Sequence, residues 1–249
     1  MDSGSSPRVV IDAFKVASRL AFVAVVLVFI GTALNAIKAF TGAHGIGWLV
    51  DAFRLNNEEN IPAFFSGAML LFIAGLLLLL AVTYRRIGQP ARVWYALSAL
   101  AAFLSFDELF AVHERLIEPV RERFDLGGAL SFAWVPVYGI LLVALIAVLA
   151  RTWWRLHPRI RILSAISGLL YVIGAIGFEM AGAARYTGEE GDLIYGILYT
   201  LEESFEMAGM VLAVFTLLTL LSSCQPEFLL TNPQAEYLTP RGRVETDTA

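Results

Sequence analysis

Six long apolar segments, separated by short polar links, dominate the pattern of the chain. They cover residues 17–39, 62–84, 93–116, 129–150, 162–184 and 193–222. Each is long enough to cross a hydrocarbon core of about 30 Å as an α-helix that rises about 1.5 Å per residue. The pattern therefore predicts an all-α, polytopic membrane protein, a bundle of six transmembrane helices.

The segments that flank these spans are polar. Residues 1–14 lack a small-residue cleavage site after a short apolar core, so the first span is predicted to be retained. Residues 225–249 contain Pro226, Pro233 and Pro240, and their composition is typical of disorder. We expect a cytoplasmic segment at 1–14, a transmembrane domain at 15–224 and a disordered cytoplasmic tail at 225–249.

The arginines of the links predict the orientation. Clusters of arginine follow the second span and lie between the fourth and fifth spans, at Arg85, Arg86, Arg92, Arg151, Arg155, Arg159 and Arg161. Links rich in lysine and arginine stay on the cytoplasmic side. Both termini are therefore predicted to be cytoplasmic.

Composition supports the membrane class and excludes others. The chain is 58% hydrophobic and 16% charged, whereas soluble domains carry about 25% charge. The basic residues form no nucleic-acid-binding face, so no nucleic-acid partner is expected. Cys224 is the single cysteine, which excludes an intramolecular disulfide.

Acidic side chains and one histidine interrupt three of the spans near the end opposite the arginines. They are Asp107, Glu108, His113, Glu179, Glu202, Glu203 and Glu206, with Glu114 as a weaker candidate. Counted along ideal helices from the arginine-bearing ends, Asp107, Glu179 and Glu206 lie at about 21, 26 and 24 Å. Ionisable groups at such depth are costly and usually face partners. We therefore expect one polar site between spans three, five and six, in the outer half of the bilayer.

The combined pattern resembles a known group of proteins. Asn57-x-Glu59-Asn60-Ile61-Pro62, Asp107-Glu108-x4-His113-Glu114 and Glu202-Glu203-x-x-Glu206-Met207 are similar to motifs of a family of uncharacterised bacterial multi-pass inner-membrane proteins. The resemblance implies a location in the bacterial inner membrane and a role for the polar positions, and it implies no particular reaction. The Asn56–Pro62 stretch is expected to cap the second span or to cover the site.

The leading hypothesis is a metal site. Several carboxylates on one side of a helix need protons, cations or bound metal to coexist, and di-iron and di-manganese sites in helical bundles are rich in glutamate. The chain has no Glu-x-x-His motif, so a single oxygen-rich site for Fe, Mn, Mg or Ca fits as well as a dinuclear one. Fe or Mn is favoured. Oxidation or hydrolysis of a lipid-soluble substrate would follow, by a metal-dependent membrane oxidoreductase or hydrolase.

Two other classes remain open. Membrane-embedded acids and a histidine also occur in proton- or cation-coupled transporters, although no inverted repeat is recognisable here. A structural role, as an accessory subunit of a larger membrane complex, fits the lipid-facing surface equally well. Solvated ion pairs explain Glu114, Glu118 and Glu122 better than a site does.

Overall fold

The computed structural model describes residues 11–41, 44–57, 59–113, 115, 134–185 and 193–224, and this part of the chain is helical without β-strands. The six long helices are Ala13–Thr41, Ile61–Arg86, Arg92–Phe110, Trp134–Trp154, Pro158–Arg185 and Leu193–Ser223. A 3₁₀ turn, His44–Ile46, and a short helix, Gly47–Phe53, connect the first two.

All six long helices are long and apolar enough to cross a membrane. The predicted fold class, an all-α bundle of six spans, is confirmed. The cytoplasmic placement of the termini stays a prediction. The N-terminal segment up to residue 10 and the predicted tail at 225–249 lie outside the described residues. We call the end of the bundle that carries Arg85, Arg86 and Arg92 the arginine end, and the opposite end the acidic end.

The second and third spans pack closely because small residues and serines face each other. Ser98 Oγ donates to the carbonyl of Ala74 at 2.8 Å, and Ser105 Oγ donates to the carbonyl of Gly67 at 2.7 Å. A Cβ on Gly67 would lie 2.7 Å from Leu109 Cγ, so any larger residue would displace the Leu109 side chain. Close packing of small residues and hydrogen bonds between helices replace the hydrophobic driving force that lipid does not provide.

The fifth and sixth spans are joined in the same way. Ser167 Oγ donates to the carbonyl of Gly209 at 2.8 Å. A Cβ on Gly209 would lie 2.7 Å from the backbone nitrogen of Tyr171, and one on Gly174 would lie 2.6 Å from Glu206 Cγ. The fifth and sixth spans are therefore in direct backbone contact, and both carry side chains of the site.

Two helices differ from the simple continuous spans of the prediction. The third was predicted to continue to residue 116, but it ends at Phe110, where Ala111 adopts a left-handed conformation with φ 49°. The fifth is α-helical at Pro158–Val172, widens to a π-helix at Ile173–Phe178, and is α-helical again from Glu179. π-helical turns inside α-helices often mark functional sites.

The fourth span packs least. None of its 18-residue membrane window, Val137–Trp154, is buried, whereas 56% of the window of the second span and 50% of that of the sixth are. Its predicted start at residue 129 lies outside the described residues. A cavity takes the place of close packing beside this helix.

Candidate functional site

A cavity of about 700 Å³ lies at the acidic end, between the third, fourth, fifth and sixth spans. Seven residues predicted from the sequence line it, namely Asp107, Glu108, His113, Glu179, Glu202, Glu203 and Glu206. The structure thus brings these seven side chains to one cavity. Glu114 lies outside the described residues.

The end of the third span places His113 against Asp107. Because Ala111 turns the chain out of the helix, His113 no longer follows the helical periodicity. Asp107 Oδ1 accepts the backbone N–H of His113 at 2.8 Å and lies 3.3 Å from its Nδ1. Asp107 Oδ2 accepts the hydroxyl of Tyr138 at 3.0 Å. His113 therefore lies beyond the end of the third helix, on the turn that follows it.

The π-helical turn positions the acid of the fifth span. Glu179 follows this turn directly, and its carboxyl group lies close to that of Glu202 in the sixth span. The pair joins the fifth span to the sixth at the wall of the cavity.

Glu206 is the most enclosed glutamate of the group. Its exposure is 9%, it lines the cavity, and it makes no hydrogen bond within the part of the chain that the structure describes. Glu108, Glu203 and His113 lie within electrostatic range of it. Tyr171, one turn before Gly174, lines the same cavity. A buried carboxylate without a hydrogen-bond donor is costly, so this side chain points to a ligand, a proton or a cation.

Polar residues from the loop before the second span cover the acidic end. Asn60 caps that helix by accepting the backbone N–H of Ala63 at 2.9 Å, as expected. Asn56 Oδ1 accepts the hydroxyl of Tyr195 at 3.0 Å, and Asn56 itself lines the cavity. Tyr199, also in the lining, accepts a hydrogen bond from Asn35 of the first span. The stretch therefore both caps a helix and covers the site.

The ionisable side chains of the lining are almost all acidic. Six carboxyl side chains and one imidazole contribute to it, and no lysine or arginine does among the described residues. The cavity therefore attracts cations.

The rest of the cavity is apolar and extends toward the arginine end. We call this part the apolar arm, and it is lined by Leu100, Leu104, Leu141, Leu142, Leu145, Val148 and Val172. From Tyr138 to Val148 the fourth span rises about 15 Å. The cavity thus has an acidic head and a hydrocarbon-like tail.

The side chains as they stand do not form a metal cage. Among the described residues, no group of three or more His, Cys, Asp or Glu side chains is close enough to hold a metal ion. The metal role of the seven residues stays a prediction.

Two tyrosines of the cavity lining were missed by sequence reasoning. The sequence gives no reason to separate Tyr171 from other tyrosines in apolar spans. It lies one helical turn before Gly174, the glycine that contacts Glu206. Tyr138 is a tyrosine near the start of the fourth span, where aromatic residues commonly anchor at the interface. No signal in the sequence pairs it with Asp107.

Fold and cavity together define a multi-pass helical membrane protein with an internal carboxylate cavity. The chain belongs to the family described as a domain of unknown function (DUF8692), whose model matches residues 20–221 and so includes all seven lining residues predicted from the sequence. Neither a curated protein nor a solved structure matches the chain. The predicted resemblance to an uncharacterised family agrees with this membership, whereas the bacterial inner-membrane location stays a prediction.

Proposed function

We propose that the acidic end of the cavity binds a divalent cation, with Fe or Mn favoured, and that the protein acts there on a lipid-soluble substrate. The observation that supports this best is Glu206, a carboxylate nine-tenths buried, without a hydrogen bond among the described residues, in a cavity that no described lysine or arginine lines. A bound cation removes the cost of its burial.

The donor set fits such an ion. Carboxylates with one imidazole suit hard or borderline divalent metals and disfavour soft ones. The side chains of Glu108, Glu203 and Glu206 each have three rotatable bonds, and the proposal requires that they rotate to bring their oxygens together around the ion. One metal or two would use these with Glu179, Glu202 and His113.

Asp107 has a different role in this proposal. Both of its oxygens already accept hydrogen bonds, from the His113 backbone and from Tyr138. A carboxylate that holds the imidazole of a ligand fixes its orientation and raises its basicity. Asp107 therefore positions His113.

A metal in this place supplies Lewis-acid activation or redox chemistry. The protein's own residues would bind the substrate and transfer the proton. In this proposal one of the neighbouring acids Glu179 and Glu202 gives or accepts the proton. Tyr171 lies within electrostatic range of the acids beside them. The reaction class is oxidation or hydrolysis of a lipophilic molecule.

Elemental analysis of the detergent-purified protein tests the proposal. We expect stoichiometric Fe or Mn in the wild type, loss in Glu206→Gln, and retention in Glu59→Gln, since Glu59 is exposed and outside the cavity. Absence of metal from a folded sample after reconstitution would overturn the metal proposal.

Cation- or proton-coupled transport is the second candidate. The closeness of the Glu179 and Glu202 carboxyl groups favours it, because proton pathways in membrane proteins use neighbouring acids. The apolar arm disfavours it, since the lining toward the arginine end is aliphatic. Proton or cation flux in liposomes, measured for the wild type and Glu202→Gln, decides between the two candidates.

A further inference from the structure

We propose that the substrate is an amphiphile with one long aliphatic tail and an amine head, which enters sideways beside the fourth span. The inference rests on the lipid-soluble substrate of the proposed function and names its class. The tail occupies the apolar arm, and the ammonium group reaches the carboxylates of the acidic end.

The shape of the fourth span supports a tail site. Leu141, Leu145 and Val148 recur at helical spacing and face the apolar arm. Leu145 is half-buried, whereas Leu141 and Val148 are 59% and 70% exposed, so the arm is open to the surroundings of this helix. Val143 and Ile146 lie outside the lining. A cavity with an aliphatic lining inside a bilayer favours a hydrocarbon chain over water.

The attachments of the fourth span support sideways entry. At the acidic end Tyr138 donates to Asp107, and at the arginine end Trp153 Nε1 donates to Ser164 Oγ at 3.1 Å. Between these two points the helix borders the apolar arm, and no residue of its membrane window is buried. A helix that is held near its ends and unpacked in the middle can separate from its neighbours with little loss of contact.

The charge of the cavity selects the head group. The described lining has six carboxyl side chains and no lysine or arginine. Glu206, nine-tenths buried and without a hydrogen bond among the described residues, lacks a donor that an ammonium group supplies. A carboxylate or phosphate head would meet repulsion instead.

Photo-crosslinking in lipid nanodiscs tests the inference. The probe is a long-chain alkyl amine with a diazirine in its tail, compared with the carboxylic acid and the alcohol of the same chain length. The protein variants are Leu145→Trp, which fills the apolar arm, and Ile146→Trp, which adds the same bulk on the membrane face. Leu141→Trp is a second filling variant, in case one of them does not fold.

We expect the amine to label peptides of the fourth and fifth spans that line the apolar arm, and to label more than the acid or the alcohol. Filling the arm should reduce labelling about tenfold, equivalent to about 1.4 kcal/mol of affinity, while Ile146→Trp should match the wild type. Equal labelling by the acid would overturn the assignment of the head. Equal labelling of Leu145→Trp and Ile146→Trp would overturn the tail site.

The same samples separate this inference from the metal proposal. Amine labelling should persist after treatment with a chelator, because removal of a cation leaves the acids more negative. Metal content should be unchanged in Leu145→Trp, since Leu145 belongs to the aliphatic lining. Labelling that disappears with the chelator would overturn recognition of the ammonium group by the carboxylates and would leave the metal site standing.

Discussion

The fifth and sixth spans and the fourth span meet the same cavity with opposite kinds of packing. The fifth and sixth are in backbone contact at Gly174 and Gly209, whereas no residue in the membrane window of the fourth is buried. The closely packed pair carries four of the acids that line the cavity, Glu179, Glu202, Glu203 and Glu206. The loosely packed helix contributes an aliphatic face and Tyr138. Chemistry that depends on fixed positions therefore lies on the rigid side, and the wall that a bulky ligand must pass lies on the side that can yield.

The largest expected effect comes from glycine substitution in the closely packed pair. In Gly209→Ala the new Cβ would lie 2.7 Å from the Tyr171 backbone nitrogen and 2.9 Å from the Ser167 carbonyl oxygen, and backbone atoms cannot rotate away. We expect a loss of about 1–3 kcal/mol of unfolding free energy, measured as a lower thermal-unfolding midpoint in detergent.

The matched control is Gly139→Ala in the fourth span, where nothing lies within 4 Å of the added Cβ. This variant should be neutral or slightly more stable, because alanine favours helix by up to about 1 kcal/mol. Equal destabilisation by the two substitutions would remove the distinction between the packed and the unpacked helices.

An intermediate effect is expected at the turn that ends the third span. Asp107→Ala deprives the His113 backbone N–H and the Tyr138 hydroxyl of their acceptor, at a cost of about 1–3 kcal/mol. Stability should fall, and bound metal should fall with it because His113 loses its position. Chemical denaturation and elemental analysis measure the two.

Asp51→Ala is the control for that change, since Asp51 is exposed in the short helix Gly47–Phe53. This substitution should leave the stability and the bound metal as in the wild type. A folded Asp107→Ala protein with full metal content would show that Asp107 does not position a ligand.

The smallest effect is expected at the bond that holds the fourth span at the acidic end. Tyr138→Phe removes the donor to Asp107 but keeps the ring, so we expect a loss of about 0.5–1.5 kcal/mol. If this bond restrains the fourth span, labelling by the amine probe should also become faster. Tyr95→Phe, in the third span and outside the cavity, is the control. Slower labelling in Tyr138→Phe would contradict sideways entry at this helix.

The sequence by itself determined the six spans and the convergence of the acids. The length of an apolar run can be compared directly with the thickness of the hydrocarbon core of a bilayer. An acid inside such a run is costly enough to mark a site. Depth along an ideal helix also placed Asp107, Glu179 and Glu206 at one level, and the cavity contains all three.

Only the tertiary structure decided how the side chains meet. No glycine or proline marks the end of the third span at Ala111, so the sequence predicted a helix that continues to residue 116. In the structure a turn at Ala111 ends the helix and brings His113 back to Asp107. The π-helical turn before Glu179 arises where Gly174 lets the backbone approach Glu206, a contact between two spans that neither sequence segment specifies alone. The fourth span is separated from its neighbours, and its hydropathy pattern does not reveal this. Neighbouring helices, an apolar cavity and lipid are all apolar surroundings, so the same pattern fits each of them.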